Sequence, residues 1–145
     1  MSWFGGHVDS YTISLRVSGE GLDPDRVTVL LQCNPTTVQR NRKATRSDGS
    51  VISQGSQWEF TLESKDYRED NFDAGLRRLL NHLTTDLQVW SMLTREYKVD
   101  LFCGLFLDTE NRGFGLTVDT ARLLAERNLP IGFDIYAPAT AVSSL

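Results

Sequence analysis

The chain has 145 residues, a formal net charge of −4, and 40% hydrophobic and 23% charged residues. That length supports one buried core without disulfide staples, and the balance excludes a disordered, fibrous or disulfide-framework class. The acidic surplus gives no broad attraction to a phosphate backbone, and no apolar run reaches the roughly 20 residues of a membrane span, so neither nucleic acid nor membrane is expected as a partner.

Tyr11, Ile13, Leu15 and Val17 alternate with Thr12, Ser14, Arg16 and Ser18, the period-two pattern of a strand with one buried face. A turn at 19–22 follows. Asp23-Pro24 then opens a short helix to about residue 32, because Asp offers an oxygen to the free amides and Pro already holds a helical φ. Val27, Leu30 and Leu31 form its apolar stripe, and Asn34-Pro35 ends it. Residues 38–57 are polar and hold the turn signal Asp48-Gly49, which predicts a strand, a turn and an irregular connection. Trp58, Phe60 and Leu62 alternate with Glu59, Thr61 and Glu63 as a second half-buried strand.

Residues 65–71 form a solvated acidic link that caps the next helix. One long helix is predicted over 72–93 from Phe72, Leu76, Leu79, Leu80, Leu83, Leu87 and Trp90, which keep steps of three and four. The nearly continuous apolar run at 99–107 predicts a central strand covered on both faces. After a glycine-rich loop, Thr117 caps a helix whose buried stripe is Val118, Ala121, Leu124 and Ala125, ended by Asn128 and Pro130. Ile131, Phe133 and Ile135 alternate with Gly132, Asp134 and Tyr136 as the last strand. The expected fold is α+β, a ferredoxin-like βαββαβ core extended by a C-terminal αβ unit. Its sheet is mainly antiparallel, with the helices on one face because the crossovers are right-handed. Residues 1–145 form a single domain, with the core at about 8–136 and a flexible tail at 137–145.

Chemistry-bearing residues are sparse. Cys33 and Cys103 lie in or beside apolar runs without a Cys or His at ligand spacing, so both read as small hydrophobes and no metal or cofactor is predicted. His7 and His82 have no nucleophile or orienting carboxylate nearby in sequence, and no catalytic residue is assigned. Glu63, Asp66, Glu69, Asp70 and Asp73 lack the spacing and central Gly of a calcium loop. Arg112-Gly113-Phe114-Gly115 matches the start of an RNA-recognition signature, but Leu116-Thr117-Val118-Asp119 breaks it, leaving a loop before a helix, or an anion site at that helix start.

The candidate binding residues are Thr36, Arg40, Arg42, Trp58 and Asp134. Arg40 and Arg42, with Lys43 and Arg46, would form a cationic groove beside Thr36, with Trp58 as a wall; the alternatives are a charge-guarded edge strand and a core tryptophan. Asp134 points away from the apolar set and is available to an arginine or to solvent.

Leu22-Asp23-Pro24-Asp25 before the first helix, Asn34-Pro35-Thr36 after it, Trp58 opening a strand, and the ending Gly132-Phe133-Asp134-Ile135-Tyr136 fall in a recognisable order. Over residues 11–136 the chain resembles the bacterial family catalogued as domain of unknown function 4279. The resemblance transfers no catalytic residue. Where that family carries a basic residue followed by Gly, this chain has Arg40-Asn41, and Asn is the next best tenant of left-handed backbone, so the turn is expected to persist.

The expected function is a non-catalytic interaction module, in an immunity or regulatory role in the bacterial cytoplasm. It would recognise a protein partner, or self-associate, through residues 35–46 and the open face of the sheet. The alternative is a sensor for a small molecule or small anionic ligand, by fold analogy with amino-acid-binding domains. A deep pocket lined by Arg40, Trp58 or Asp134 favours the sensor, and a shallow apolar patch the partner.

Overall fold

The computed structural model describes residues 5–64 and 71–138, so residues 65–70 of the expected acidic link at 65–71 and the end of the tail at 139–145 lie outside the described residues. Five strands, β1 (Ser10–Gly19), β2 (Thr37–Thr45), β3 (Val51–Glu63), β4 (Lys98–Phe106) and β5 (Ile131–Tyr136), form one sheet in the order β2-β3-β1-β4-β5. Between them lie α1 (Pro24–Leu31), α2 (Phe72–Asn81), α3 (Leu87–Glu96) and α4 (Val118–Glu126). Only β4 and β5 pair in parallel, so the fold is α+β with a mostly antiparallel sheet.

Register turns the alternation of β1 into a core. Val17 lies between Trp58 and Val99, Leu15 between Phe60 and Leu101, and Ile13 between Leu62 and Cys103. Successive side chains of a strand point to opposite faces, so these rows merge into one apolar surface. Val27 and Leu31 of α1, Leu76 and Leu79 of α2, Trp90 and Leu93 of α3, and Leu124 of α4 are buried in that same core. Every buried apolar strand residue described lies on this face. Local chemistry sets the ends: the Asp23 carboxylate accepts from Asp25 N at 3.0 Å, Pro24 opens α1, and Gln32 closes it with φ 56°.

Four expectations are corrected. The long helix over 72–93 is two helices. His82 N and Leu83 N reach back only three residues to Leu79 O and Leu80 O, and Thr84 N then bonds Leu31 O of α1. Asp86 starts α3 by accepting from Gln88 N, and the Trp90 indole donates to Thr84 O at 2.9 Å across the break. Leu87, expected in the stripe, is exposed. Second, β3 begins at Val51 rather than Trp58, because the Asp48-Gly49 turn returns the chain directly onto β2, with Arg46 N donating to Ser50 O.

Third, the described residues cover β4 on one face only: Phe102 is half-buried and Phe106 exposed on the other. Fourth, α4 buries Thr120 and Leu124, while Val118, Ala121 and Ala125 are exposed. The rotation of α4 is fixed at its start, where the buried Asp73 carboxylate of α2 accepts from Thr117 N at 2.8 Å and from the Thr117 hydroxyl.

Cys103 is sealed beneath the sheet, and burial pushes its thiol pKa up to about 12; Cys33 is half-buried, and burial raises it too. A thiol reagent at pH 8 should therefore label Cys33 first and reach Cys103 only when denaturant is added. A folded pKa above the unfolded value of about 8.5 means that the stability held by the neutral thiol is intact below that value. It is lost as pH rises toward about 12. Urea midpoints measured across that window should fall with pH in the wild type and more gently in Cys103→Ala; parallel slopes would show that the thiol is not sealed.

Candidate functional site

The face of the sheet away from the helices is built of cross-strand rows. Gln57, Ser18 and Lys98 form one row; Glu59, Arg16 and Asp100 the next; then Thr61, Ser14 and Phe102. At the far end Ser10, Phe106 and Tyr136 complete the series. The rows are stitched together: Arg16 makes paired bonds to Asp100, each 2.8 Å, and its guanidinium lies 4.6 Å from the centre of the Phe102 ring. Ser14 and Thr61 share a 2.8 Å hydroxyl bond, and Glu59 accepts from both Thr61 and Gln57. Phe106 and Tyr136 stack with centroids 4.9 Å apart and planes 9° from parallel. One end of the face is thus cationic and the other aromatic.

Arg42 reaches the cationic end through a backbone irregularity. Between Gln39 and Arg42 the β2 strand carries one residue more than β3, and a residue of β3 is skipped between Arg42 and Lys43. Asn41 sits at the first bulge with φ 52° and Gly55 beside the second with φ 70°. Each inserted residue reverses the alternation, so Arg42 shares a face with Gln39 and Gln57 instead of with Val38. Its Nε donates to Gly55 O at 3.2 Å, Nη2 to Gln54 O at 3.1 Å, and Nη1 to Gln57 Oε1 at 3.0 Å. The expected tolerance of Asn41 for left-handed backbone holds, in a bulge rather than a turn.

Two depressions meet there. One, of about 550 Å³, is bordered by Ser18, Glu20, Arg42, Arg95, Tyr97 and Lys98. The other, of about 210 Å³, is bordered by Arg16, Gln57 and Asp100 and shares Ser18, Arg42 and Lys98 with the first.

Of the five residues singled out from sequence, only Arg42 borders these depressions. Arg40 precedes the inserted residue and turns to the helix side, where it pairs with Asp25 of α1 at 3.2 Å. Trp58 is fully buried and its indole donates to the Thr28 hydroxyl at 3.0 Å, so it walls no groove. Thr36 extends the β2–β3 ladder, accepting from Thr61 N at 2.9 Å through its hydroxyl and donating its own N–H to Glu59 O. Asp134 lies beyond β1 and β4 and accepts from the Tyr136 hydroxyl at 2.6 Å, which raises the phenol's pKa, rather than from an arginine. Arg16, Ser18, Arg95 and Lys98 escaped notice in the sequence, although Arg16 and Ser18 occupied the polar positions of a clear alternation.

The Arg112-Gly113-Phe114-Gly115 segment has a scaffolding role. Arg112 binds the Asp9 carboxylate at 3.1 Å and the Gly5 carbonyl, Gly113 bridges to His7, and Phe114 packs on Phe72 and Phe133. The Asp108 amide, more than Arg112, holds the Asp9 carboxyl below its ordinary pKa. A small cleft of about 150 Å³ beside it includes His7, Asp73 and Arg77, but Asp73 is already engaged by Thr117 and by Arg77 at 3.4 Å. Among the described residues no group of His, Cys, Asp and Glu is arranged to hold a metal ion.

These features define an α+β domain whose sheet is shielded on one side and presents a patterned polar and aromatic face on the other. No helix among the described residues is long and apolar enough to cross a membrane. The chain belongs to the family described as Domain of unknown function (DUF4279), whose sequence model matches residues 9–138. Searches of curated proteins and of solved structures gave no match.

Proposed function

We propose that the domain is a non-catalytic interaction module that takes up an extended segment of a protein partner at the outer edge of β5, which no described residue pairs, beside the aromatic end of the open face. The supporting observation is the unequal treatment of the two edges. β2 is bulged and carries Arg40, Arg42 and Lys43, devices that keep a sheet edge from pairing. β5 has neither a bulge nor a basic residue, and its one charged side chain is Asp134. It keeps unbroken register with β4 over all six residues, contains no Lys, Arg or Pro, and leaves Ile135 57% and Tyr136 49% exposed. A strand added there would gain main-chain hydrogen bonds, with specificity from side chains meeting Phe133, Ile135 and the Phe106–Tyr136 stack.

Support for the partner reading over the sensor comes from Arg40, Trp58 and Asp134, any of which would line the deep pocket that favours a sensor: Arg40 pairs with Asp25, Trp58 is buried in the core, and Asp134 bonds Tyr136. We read β1, α1, β2, β3, α2 and β4 as a ferredoxin-like core to which α3, α4 and β5 are additions. The order β2-β3-β1-β4 and its antiparallel pairs support this reading. The bacterial cytoplasm, in a regulatory or immunity role, is the setting we assign.

Panning a random peptide display library on the immobilised domain tests the proposal. Recovered peptides should alternate apolar and polar residues, and Ile135→Lys should weaken them at least tenfold while leaving the melting temperature nearly unchanged. Peptides that bind Ile135→Lys as well as wild type would place the interface elsewhere.

A further inference from the structure

Beyond this reading, the opposite end of the same face carries a second site. We propose that the cleft between Arg42, Arg95 and Lys98 binds a small ligand through a phosphate group. Arg42 is fixed by three bonds to neutral acceptors, the Gly55 and Gln54 carbonyls and the Gln57 amide oxygen, so its charge is held in place without being neutralised. A guanidinium has five N–H donors, and bonds from one hydrogen on each nitrogen leave two for a ligand. Arg95 and Lys98 make no ion pair with any described residue.

The carboxylate closest in the sheet is neutralised, and the cations outnumber those that remain. Asp100 is occupied by both arms of Arg16, and Glu96 makes only a loose 4.0 Å pair with Arg26. Glu20 and Glu96 are the carboxylates on the border of the depression, set against three cations. That local positive surplus, on a chain of net charge −4, matches a phosphate ester, which carries about −1.5 to −2 at neutral pH. Ser18 and Tyr97 add hydroxyls to the border of this open depression. The site stands at the bulge because only there does the alternation of β2 bring an arginine over the sheet.

Titrating the labelled domain with inorganic phosphate, followed by amide NMR, tests this. Saturable shifts are expected at Ser18, Arg42 and Lys98, and potassium chloride at equal ionic strength should not reproduce them. Arg42 also ties the bulge, so the decisive variants are Arg95→Gln and Lys98→Gln, which are exposed and unpaired; each should weaken phosphate several-fold, and the double variant at least tenfold. Shifts reproduced by chloride, or phosphate affinity unchanged in the double variant, would overturn the site. Succinate binding more tightly than phosphate would overturn the phosphate assignment.

Discussion

Replacing Gly55 with Ala should lower the stability of the fold by at least about 3 kcal/mol, clearly more than the same change at Gly49. Both glycines have positive φ, 70° and 87°, where a Cβ meets its own backbone. That torsional penalty is about 1–2 kcal/mol. The surroundings separate them: a Cβ at Gly49 enters open space, whereas one at Gly55 overlaps the Gly19 carbonyl of β1. Backbone cannot swing aside as a side chain can, so relief requires β3 to move away from β1 or the bulge to close. Closing it would return Arg42 to the other face of the strand. Urea denaturation of the two variants, with the wild type alongside, reads the difference, and equal losses would show that Gly55 is not pressed against β1.

What could be read from sequence, and what could not, follows the range of the interactions. Asp23-Pro24 and the alternation from Tyr11 to Val17 act over a few residues, and both appear where the pattern placed them. The break after α2 was hidden because Leu83, though in the connection, is still buried and keeps the leucine spacing in step. The signal that reveals it is polar: Thr84-Thr85-Asp86, where side-chain oxygens compete for backbone amides and cap a new helix. Arg42 was visible as a basic residue, but its direction depends on two inserted residues, Asn41 in one strand and Gln54 in the next, that only pairing can locate. Arg40 and Arg42 have the spacing of side chains on one face, and the bulge sends them to opposite faces. Lys98 and Asp100 were masked by the apolar composition of the strand they begin. The cleft therefore depends on register, which the composition of no single segment contains.

Trp58→Ala should be among the most damaging single side-chain truncations, removing about 3–5 kcal/mol of stability and lowering the melting temperature by roughly 10 °C. Trp58 is fully buried beside Val17 of β1 and Val38 of β2, at the point where α1 closes over β3. Truncation leaves a cavity that β1 and β3, held in register on either side, cannot collapse to fill. The hydrogen bond is the smaller part. The Thr28 hydroxyl that accepts from the indole also donates to Pro24 O at 3.2 Å, so losing Trp58 leaves no unpaired donor in α1. Trp58→Phe, which keeps much of the apolar volume and drops only the indole N–H, should accordingly lose about 1–2 kcal/mol. Thermal denaturation followed by far-ultraviolet circular dichroism is the suitable measurement, because the substitution removes a fluorophore. A groove-wall tryptophan would give the reverse pattern, with a melting temperature within a few degrees of wild type in Trp58→Ala; that result would return Trp58 to the surface and require a different packing of α1 on the sheet.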